Sequence, residues 1–526
     1  MKHSMLRSGV RNGMFTVGKQ TMLVIVLLLA ACSTGGDGES EPNTPLTTPM
    51  ALVVNQDDTT LTTLRLDGKH SPIISTISLG PAEPDAIGGV TFSLGEWIFV
   101  THTAGNRVAA IDPIGAPTPI LEDFLTANPA NPAVRIGQRP TRIYRDPVDK
   151  EVLWTTNDGD PANGIDTLAG CSNGGSVSVL HNSHLGVGGG EKPRVTSRVC
   201  LSGTGDHFIA FSRPPFQQNA FVSSKTTGVV SVLLSVPLVG GGVAWSESPG
   251  LIDLCTQQFT VSIPQNCGAG PAGLFWSQTT QKIYSYLSGH GLVVEINPTG
   301  APPITKSVAI MPAVPSTTVY RSVDLTPDGR FLFLVGEDIL ADLITSAPSG
   351  NVCQANPKVY GRFAIVDLTA PTLSVQPFSI PGLDNIRPGH FQFAPDGRRL
   401  YLTQSNKVTD LPCATQANNL KKDKLLVFDP STFPVAPTFL AEIDLPAVGP
   451  DGFHGMDVWV TGPRGAGSAK GVVVTNAQPG VNGSVSLINA ASNTITATIP
   501  VGRNPKQATV YYYGLAASDN QATPIW

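Results

Sequence analysis

The chain has 526 residues, of which 54 are glycine, 45 proline and only 14% charged, a composition rich in turns and poor in the material of long charged helices. Its net charge of −5 supplies no global basic field, which argues against a nucleic-acid partner. Seven cysteines are present, and an exported chain uses such residues for disulfides more readily than for metal.

The first segment carries Lys2, Arg7, Arg11 and Lys19, followed by an apolar run from Met22 to Ala31. That run is about 10 residues long, too short to span a bilayer and of the length of a signal-peptide core. It ends in Leu29-Ala30-Ala31-Cys32, which resembles a bacterial lipobox. The resemblance implies removal of residues 1–31 and acylation of Cys32; Ser33 is not the Asp that would imply inner-membrane retention. An ordinary secretory signal followed by a chance cysteine is the alternative. The expected address is therefore the bacterial cell envelope, lipid-anchored, at the outer membrane. Each acyl chain contributes about 0.8 kcal/mol per buried methylene. Residues 32–49 are the acylated cysteine and a polar tether rich in Gly, Pro, Ser and Thr.

The remainder alternates with period two between turn signals and repeats as four-strand units. The unit from Pro84 reads AIGGVTFS, EWIFVTHT, NRVAAID and PTPILED, one propeller blade. Comparable units start at Pro140, Asp206, Ala272, Tyr320, Pro388 and Phe453. Two of them share a phrase, LTPDGRFLFLV at Leu325 to Val335 and FAPDGRRLYLT at Phe393 to Thr403, in which a Pro-Asp-Gly turn joins the first two strands. The ends provide an eighth unit: ALVVNQ, TLTTLRLD and ISTISL lack a first strand, and NPKQATVYYY is a first strand lacking its blade. The fold expected is all-β, a single closed β-propeller of eight four-stranded blades over residues 50–514, with a tail at 515–526. N- and C-terminal strands would share one blade, which removes exposed edges. Seven blades is the alternative if the unit at 206–265 is not a blade.

Asn482 to Val510, NGSVSLINAASNTITATIPVGRNPKQATV, resembles the YVTN-type propeller repeat, and NRVAAIDPIGAP and RFAIVDLTAP are weaker copies. The match is good over about 30 residues and diffuse elsewhere. Relatives of this kind include lactonase-like propellers, YncE-like periplasmic proteins and, more distantly, copper and haem propellers of respiratory reductases. The resemblance implies the fold strongly and the activity hardly at all.

With the first strand innermost, its start, the loop between strands two and three, and the link to the next blade share one face, here termed upper. The insertions Asn157 to Gly174, Glu337 to Tyr360 and Ser405 to Asp423 fall there. So do the six cysteines other than Cys32, which suggests pairing in sequence order: Cys171 with Cys200, Cys255 with Cys267, Cys353 with Cys413. Free buried thiols are the alternative.

Aligned first strands place Gly88, Thr141, His207, Ala272, Arg321, Gly389, His454 and Lys506 at the channel mouth, with Arg142, His390 and Gln507 one step on. Arg142, His207, Arg321, His390, His454 and Lys506 make this mouth basic in an acidic protein and suit a carboxylate or phosphate ligand. The bland reading is that such side chains satisfy backbone carbonyls. A metal reading uses His207, His390 and His454, with His102 and His290, converging from separate blades. A calcium reading uses Asp158, Asp160 and Asp166 in a stretch that as a turn needs no metal. No CxxC or CxxCH motif is present, which argues against covalent haem. GxSxG, Walker and HExxH motifs are also missing. The reading is a monomeric, membrane-tethered binding or scaffold propeller for an envelope protein or small anionic ligand. The alternative is a lactonase-like hydrolase or a metal-dependent, redox-associated propeller enzyme.

Overall fold

The computed structural model describes residues 48–66, 72–82, 87–92, 98–112, 120–126, 136–149, 151–181, 194–213, 218–237, 243–254, 270–288, 291–299, 304–309, 318–339, 344–347, 350–353, 359–378, 388–404, 423–449, 452–460 and 469–513. These residues form an all-β propeller of eight blades, each a four-stranded antiparallel sheet. Blade 1 comprises Ile87–Phe92, Ile98–His102, Arg107–Asp112 and Ile120–Thr126. Blade 2 comprises Pro140–Arg145, Val152–Asn157, Ser176–His181 and Arg194–Cys200. Blade 3 runs His207–Phe211, Ala220–Ser224, Val229–Pro237 and Val243–Glu247, with the two-residue strand Ile252–Asp253 also paired to its third strand. Blade 4 is Pro271–Ser277, Lys282–Leu287, Leu292–Ile296 and Ile304–Ala309.

Blade 5 consists of Thr318–Leu325, Phe331–Ile339, Val359–Asp367 and Ser374–Phe378. A separate hairpin, Ile344–Ala347 with Gly350–Cys353, is inserted between its second and third strands. Blade 6 is Pro388–Phe393, Leu400–Gln404, Lys424–Asp429 and Thr438–Asp444. Blade 7 is Met456–Val460, Ala469–Asn476, Asn482–Asn489 and Thr494–Arg503. In blade 8 the last strand, Pro505–Tyr513, pairs with Thr48–Asn55, followed by Thr60–Arg65 and Ile73–Ser78. The unit at 206 is thus a complete blade; its fourth strand, half-solvated along its length, has no apolar alternation to announce it.

Inner strands are buried on both sides because each blade packs between two others. Ile98 and Val100 join a cluster shared with blade 8, whereas Phe99 between them joins one shared with blade 2. Leu332 and Leu334 likewise face blade 4, and Phe331, Phe333 and Val335 face blade 6. A strand sandwiched in this way reads as a continuous apolar run, yet its period-two alternation still decides which neighbour each residue meets. Clusters of this kind bridge every successive pair of blades, including 7 with 8 and 8 with 1. The first strands of successive blades touch from blade 1 round to blade 8 and form the inner wall.

The interface between blades 5 and 6 is the most aromatic. Phe333 lies against Phe363, Phe391, Phe393 and Phe433 at centroid separations of 5.1–5.7 Å. Each fully buried phenylalanine contributes roughly 1.5–3 kcal/mol, so this interface is strongly held. The two Pro-Asp-Gly turns lie at the lower edge of these blades, and Gly329 and Gly397 adopt φ of 69° and 70°, where a side chain would be strained. Asp328 Oδ1 accepts from Arg330 N, and Asp396 Oδ1 from Arg398 N, at 3.1 and 3.0 Å.

Candidate functional site at the channel mouth

The first strands do not enter their sheets cleanly. Gly88, Thr141, Ala272, Arg321, Gly389 and Lys506 all sit where the pairing register slips by one residue, so six of the eight aligned positions are β-bulges. A bulge leaves ladder groups unpaired and re-aims a side chain. The unpaired groups are claimed by hydroxyls of the second strand. Thr403 Oγ1 accepts from His390 N at 2.9 Å and shares its one proton between His390 O at 3.0 Å and His454 O, and Thr101 Oγ1 accepts from Gly89 N and donates to Gly89 O.

Carbonyls at the strand starts also receive donors from the preceding blade. Gln56 Nε2 donates to Ile87 O at 2.7 Å, Thr103 Oγ1 to Pro140 O at 3.0 Å, Arg142 Nη1 to His207 O at 3.2 Å and Thr403 Oγ1 to His454 O at 3.1 Å. The mouth is therefore first a hydrogen-bonded collar holding neighbouring blades in register. This satisfies the requirement that buried carbonyls be paired.

Two of the aligned histidines belong to that collar. His207 is wholly buried; its Nδ1 lies 2.8 Å from Asp158 Oδ1 and its Nε2 3.3 Å from Gly203 O. His454 is buried as completely, donates from Nδ1 to Thr475 O at 3.0 Å and has Nε2 3.2 Å from Asp423 Oδ2. That second approach is close enough for an ion pair but lacks hydrogen-bond geometry, and among the described residues Asp423 Oδ1 has no partner. Each carboxylate comes from the blade before its histidine, Asp158 after the second strand of blade 2 and Asp423 before the third strand of blade 6. Both pairs clasp adjacent blades, in blades 3 and 7, four positions apart on an eight-membered ring.

Arg142 is half-buried over the Phe208 ring at 4.0 Å and close to Asp206. Burial would raise the Asp206 carboxyl, but Arg142, Lys225 and His207 outweigh it and hold the group below its ordinary range. Arg321 differs from these. Its side chain is 48% exposed, while Nε and Nη2 both reach Glu337 Oε1, at 3.0 and 2.8 Å, and Glu337 is buried. Lys506 and His390 are partly exposed, and Gln507 donates to Thr509 Oγ1 at 2.9 Å. Burial pushes the His390 imidazole down to about 4, and among the described residues its Nδ1 has no partner.

The acidic stretch after blade 2's second strand is committed internally. Asp158 takes His207, Asp160 Oδ1 accepts from Ala162 N at 2.8 Å, and Asp166 Oδ2 accepts from Ser176 Oγ at 2.5 Å. Among the described residues no three His, Cys, Asp or Glu side chains come together as metal ligands. His102 Nδ1 accepts from Gly105 N at 2.8 Å in a local turn. Cys171 and Cys200 form a disulfide, with Cα atoms 5.3 Å apart. Cys32, Cys255, Cys267, Cys413 and His290 lie outside the described residues, as does the side chain of Cys353.

Sequence reasoning singled out Asp158 for calcium and overlooked Asp423 and Glu337. The signal available for all three was a carboxylate at the upper end of the second or third strand of a blade, level with the start of a first strand.

No protein-family model matches the chain, and no curated protein matches it. Among solved structures the chain is similar to apo AztD from Citrobacter koseri, with 14% identity, 89% of this chain and 99% of that chain covered, and a TM-score of 0.52. It is also similar to PpgL, the periplasmic gluconolactonase of Pseudomonas aeruginosa, with 15% identity, coverage of 89% and 99%, and a TM-score of 0.46. A provisionally assigned 6-phosphogluconolactonase from Bacteroides fragilis gives 12% identity, coverage of 90% and 100%, and a TM-score of 0.46. At 14% identity the likeness to AztD is one of fold alone, and the eight-bladed β-propeller is read from this chain's own strand pairing.

Proposed function

We propose that the protein is an envelope-anchored propeller, tethered through an acylated Cys32, that holds a small carboxylate- or phosphate-bearing ligand at the upper mouth. The observation that carries this reading is the placement of Arg321. It stands on a first-strand bulge, nearly half of its side chain is exposed, and its guanidinium is pinned on a buried carboxylate. A cation held in one orientation loses little rotamer freedom when an anion docks, which is the physical content of preorganisation. Lys506 on the bulge of blade 8 and His390 beside the bulge of blade 6 supply further donors at the same level.

Calorimetric titration with gluconate, 6-phosphogluconate and inorganic phosphate at low salt tests the reading. Binding in the millimolar range or tighter is expected, weakened about tenfold or more in Arg321→Ala/Lys506→Ala, since both are charge contacts at a partly shielded site. An unchanged affinity in that variant, or no binding of any of the three anions, would overturn it. Turnover of a sugar lactone supplied in place of gluconate would replace the binding role with a hydrolytic one. The anchor is checked separately by fatty-acid labelling, which Cys32→Ala should abolish.

A further inference from the structure

The lower face carries a feature the mouth does not use. A cleft of about 420 Å³ opens between the two Pro-Asp-Gly turns of blades 5 and 6 and the turn after the third strand of blade 6. Its floor is made of Phe331, Phe393 and Phe433. Phe433 meets the other two rings edge-to-face, at 5.9 and 6.2 Å with interplanar angles of 85° and 89°. Phe331 and Phe393 are nearly buried and Phe433 is only half-buried, so Phe433 offers most of the aromatic surface.

Asp328 and Asp396 stand at equivalent places on the rim. In each, Oδ1 is held by the backbone of its own turn, with Thr326 Oγ1 adding a 2.6 Å bond to Asp328. Among the described residues neither Oδ2 has a hydrogen-bond partner, so each carboxylate is fixed at one oxygen and presents the other. The cleft's own cation, Arg330, lies over the Phe331 ring at 5.2 Å. The lining therefore holds two carboxylates and one guanidinium, a net negative charge above an aromatic floor.

We propose that this cleft binds a small organic cation whose charge is spread over alkyl groups, an alkylated ammonium. A bare metal ion would need more oxygen ligands than two rim carboxylates provide. A primary ammonium needs three acceptors and gains little from phenylalanine. An alkylated ammonium needs none, is attracted by aromatic faces and carboxylates together, and buries its methyl groups on Phe433. A volume of this size suits a small molecule.

The test uses choline as the probe and its uncharged isostere 3,3-dimethylbutan-1-ol as the control, titrated into the full-length protein and followed by calorimetry. Choline is expected to bind at least about tenfold more tightly than the alcohol, because shape is shared and only the charge differs. Asp328→Asn/Asp396→Asn should weaken choline about tenfold while its amide oxygens keep both turns, and Phe433→Ala should weaken it severalfold. An unaltered melting temperature in the asparagine variant establishes that the ring is intact; should it fall, Asp396→Asn alone carries the test. Equal affinity for choline and the alcohol, or choline binding insensitive to the asparagine substitutions, would overturn the proposal. Arg321→Ala/Lys506→Ala should leave choline binding unchanged, and the asparagine variants should leave anion binding unchanged, so either site can fail without the other.

Discussion

Arg503 and Asp58, 445 residues apart in the chain, form a two-point contact: Arg503 N and Nε donate to the two carboxylate oxygens of Asp58, each at 2.6 Å. Around them Gly480 N reaches Asp57 Oδ2 at 2.7 Å and Asn504 Nδ2 reaches Asp57 Oδ1 at 2.9 Å. Arg503 ends the fourth strand of blade 7, whereas Asp58 sits in the turn between the second and third strands of blade 8. The contact thus ties the last complete blade to the N-terminal strands.

Replacing Asp58 with Asn should lower stability by about 1 kcal/mol, a charge-assisted pair discounted for its solvent exposure. Burial would raise the Asp58 carboxyl, but hydrogen bonds and the charge of Arg503 outweigh it and hold the group below 3.8. A depressed carboxyl stabilises the fold fully above its unfolded value and loses that contribution as pH falls through the folded one. Melting temperature measured from pH 7 down to 2.5 should therefore converge for wild type and Asp58→Asn at the acid end. Coincident curves would show that the pair contributes nothing, and a constant offset would show that its contribution does not come from the ionised carboxylate.

The Cys171–Cys200 bridge joins residues 29 apart, from the loop after blade 2's second strand to the end of its fourth. Loop-closure entropy gives it about 3 kcal/mol. The double variant Cys171→Ala/Cys200→Ala isolates that contribution from the other cysteines. Its denaturant midpoint should fall, with a slope equal to or steeper than that of the bridged protein because the unfolded chain is freer to expand; an unmoved midpoint would mean the unfolded chain is already restricted there.

Much of the ring is legible from alternation and turns, because a blade's inner strands must bury both faces. The Pro-Asp-Gly turns set a register that carried over to every first strand. The fourth strand of blade 3, Val243–Glu247, escapes such a reading because an outer strand is half-solvated and has no obligatory apolar side. The mouth is legible in position but not in role. His207 and Arg321 occupy equivalent places, and what separates a buried clasp from an exposed donor is the carboxylate opposite: Asp158, fully buried with its histidine, or Glu337, buried beneath a guanidinium left outside. Asp158 reaches its histidine across a blade boundary and Glu337 meets its arginine within blade 5, and neither pairing is encoded in a local pattern.

His390 should report its burial through pH. Its imidazole titrates near 4 when folded against 6.5 as a free group, so folding is fully supported above 6.5 and weakens as pH falls toward 4. The loss is about 2 kcal/mol, less than the whole shift implies because the side chain is partly exposed. Its ring proton resonances, followed by NMR, should stay at neutral-imidazole positions at pH 6. His390→Leu should remove this part of the acid-side decline.

The clasps and the exposed cations should separate cleanly under mutation. Removing the imidazole in His207→Ala leaves Asp158 buried without its partner, and breaking a buried pair from one side costs about 3–5 kcal/mol. His454→Ala should cost less, because Nε2 and Asp423 Oδ2 approach at 3.2 Å without hydrogen-bond geometry and chiefly the bond to Thr475 O is lost. Lys506→Ala acts on a partly exposed side chain and should shift stability by less than about 1 kcal/mol, whereas Arg321→Ala also takes a partner from the buried Glu337 and should lower stability as well. The expected pattern is a large fall in melting temperature with retained anion affinity at 20 °C for the His207 variant, weakened anion affinity for both cation variants, and an unchanged melting temperature for Lys506→Ala. Should His207→Ala instead melt like wild type and lose anion affinity, His207 would be a ligand and its pairing with Asp158 incidental.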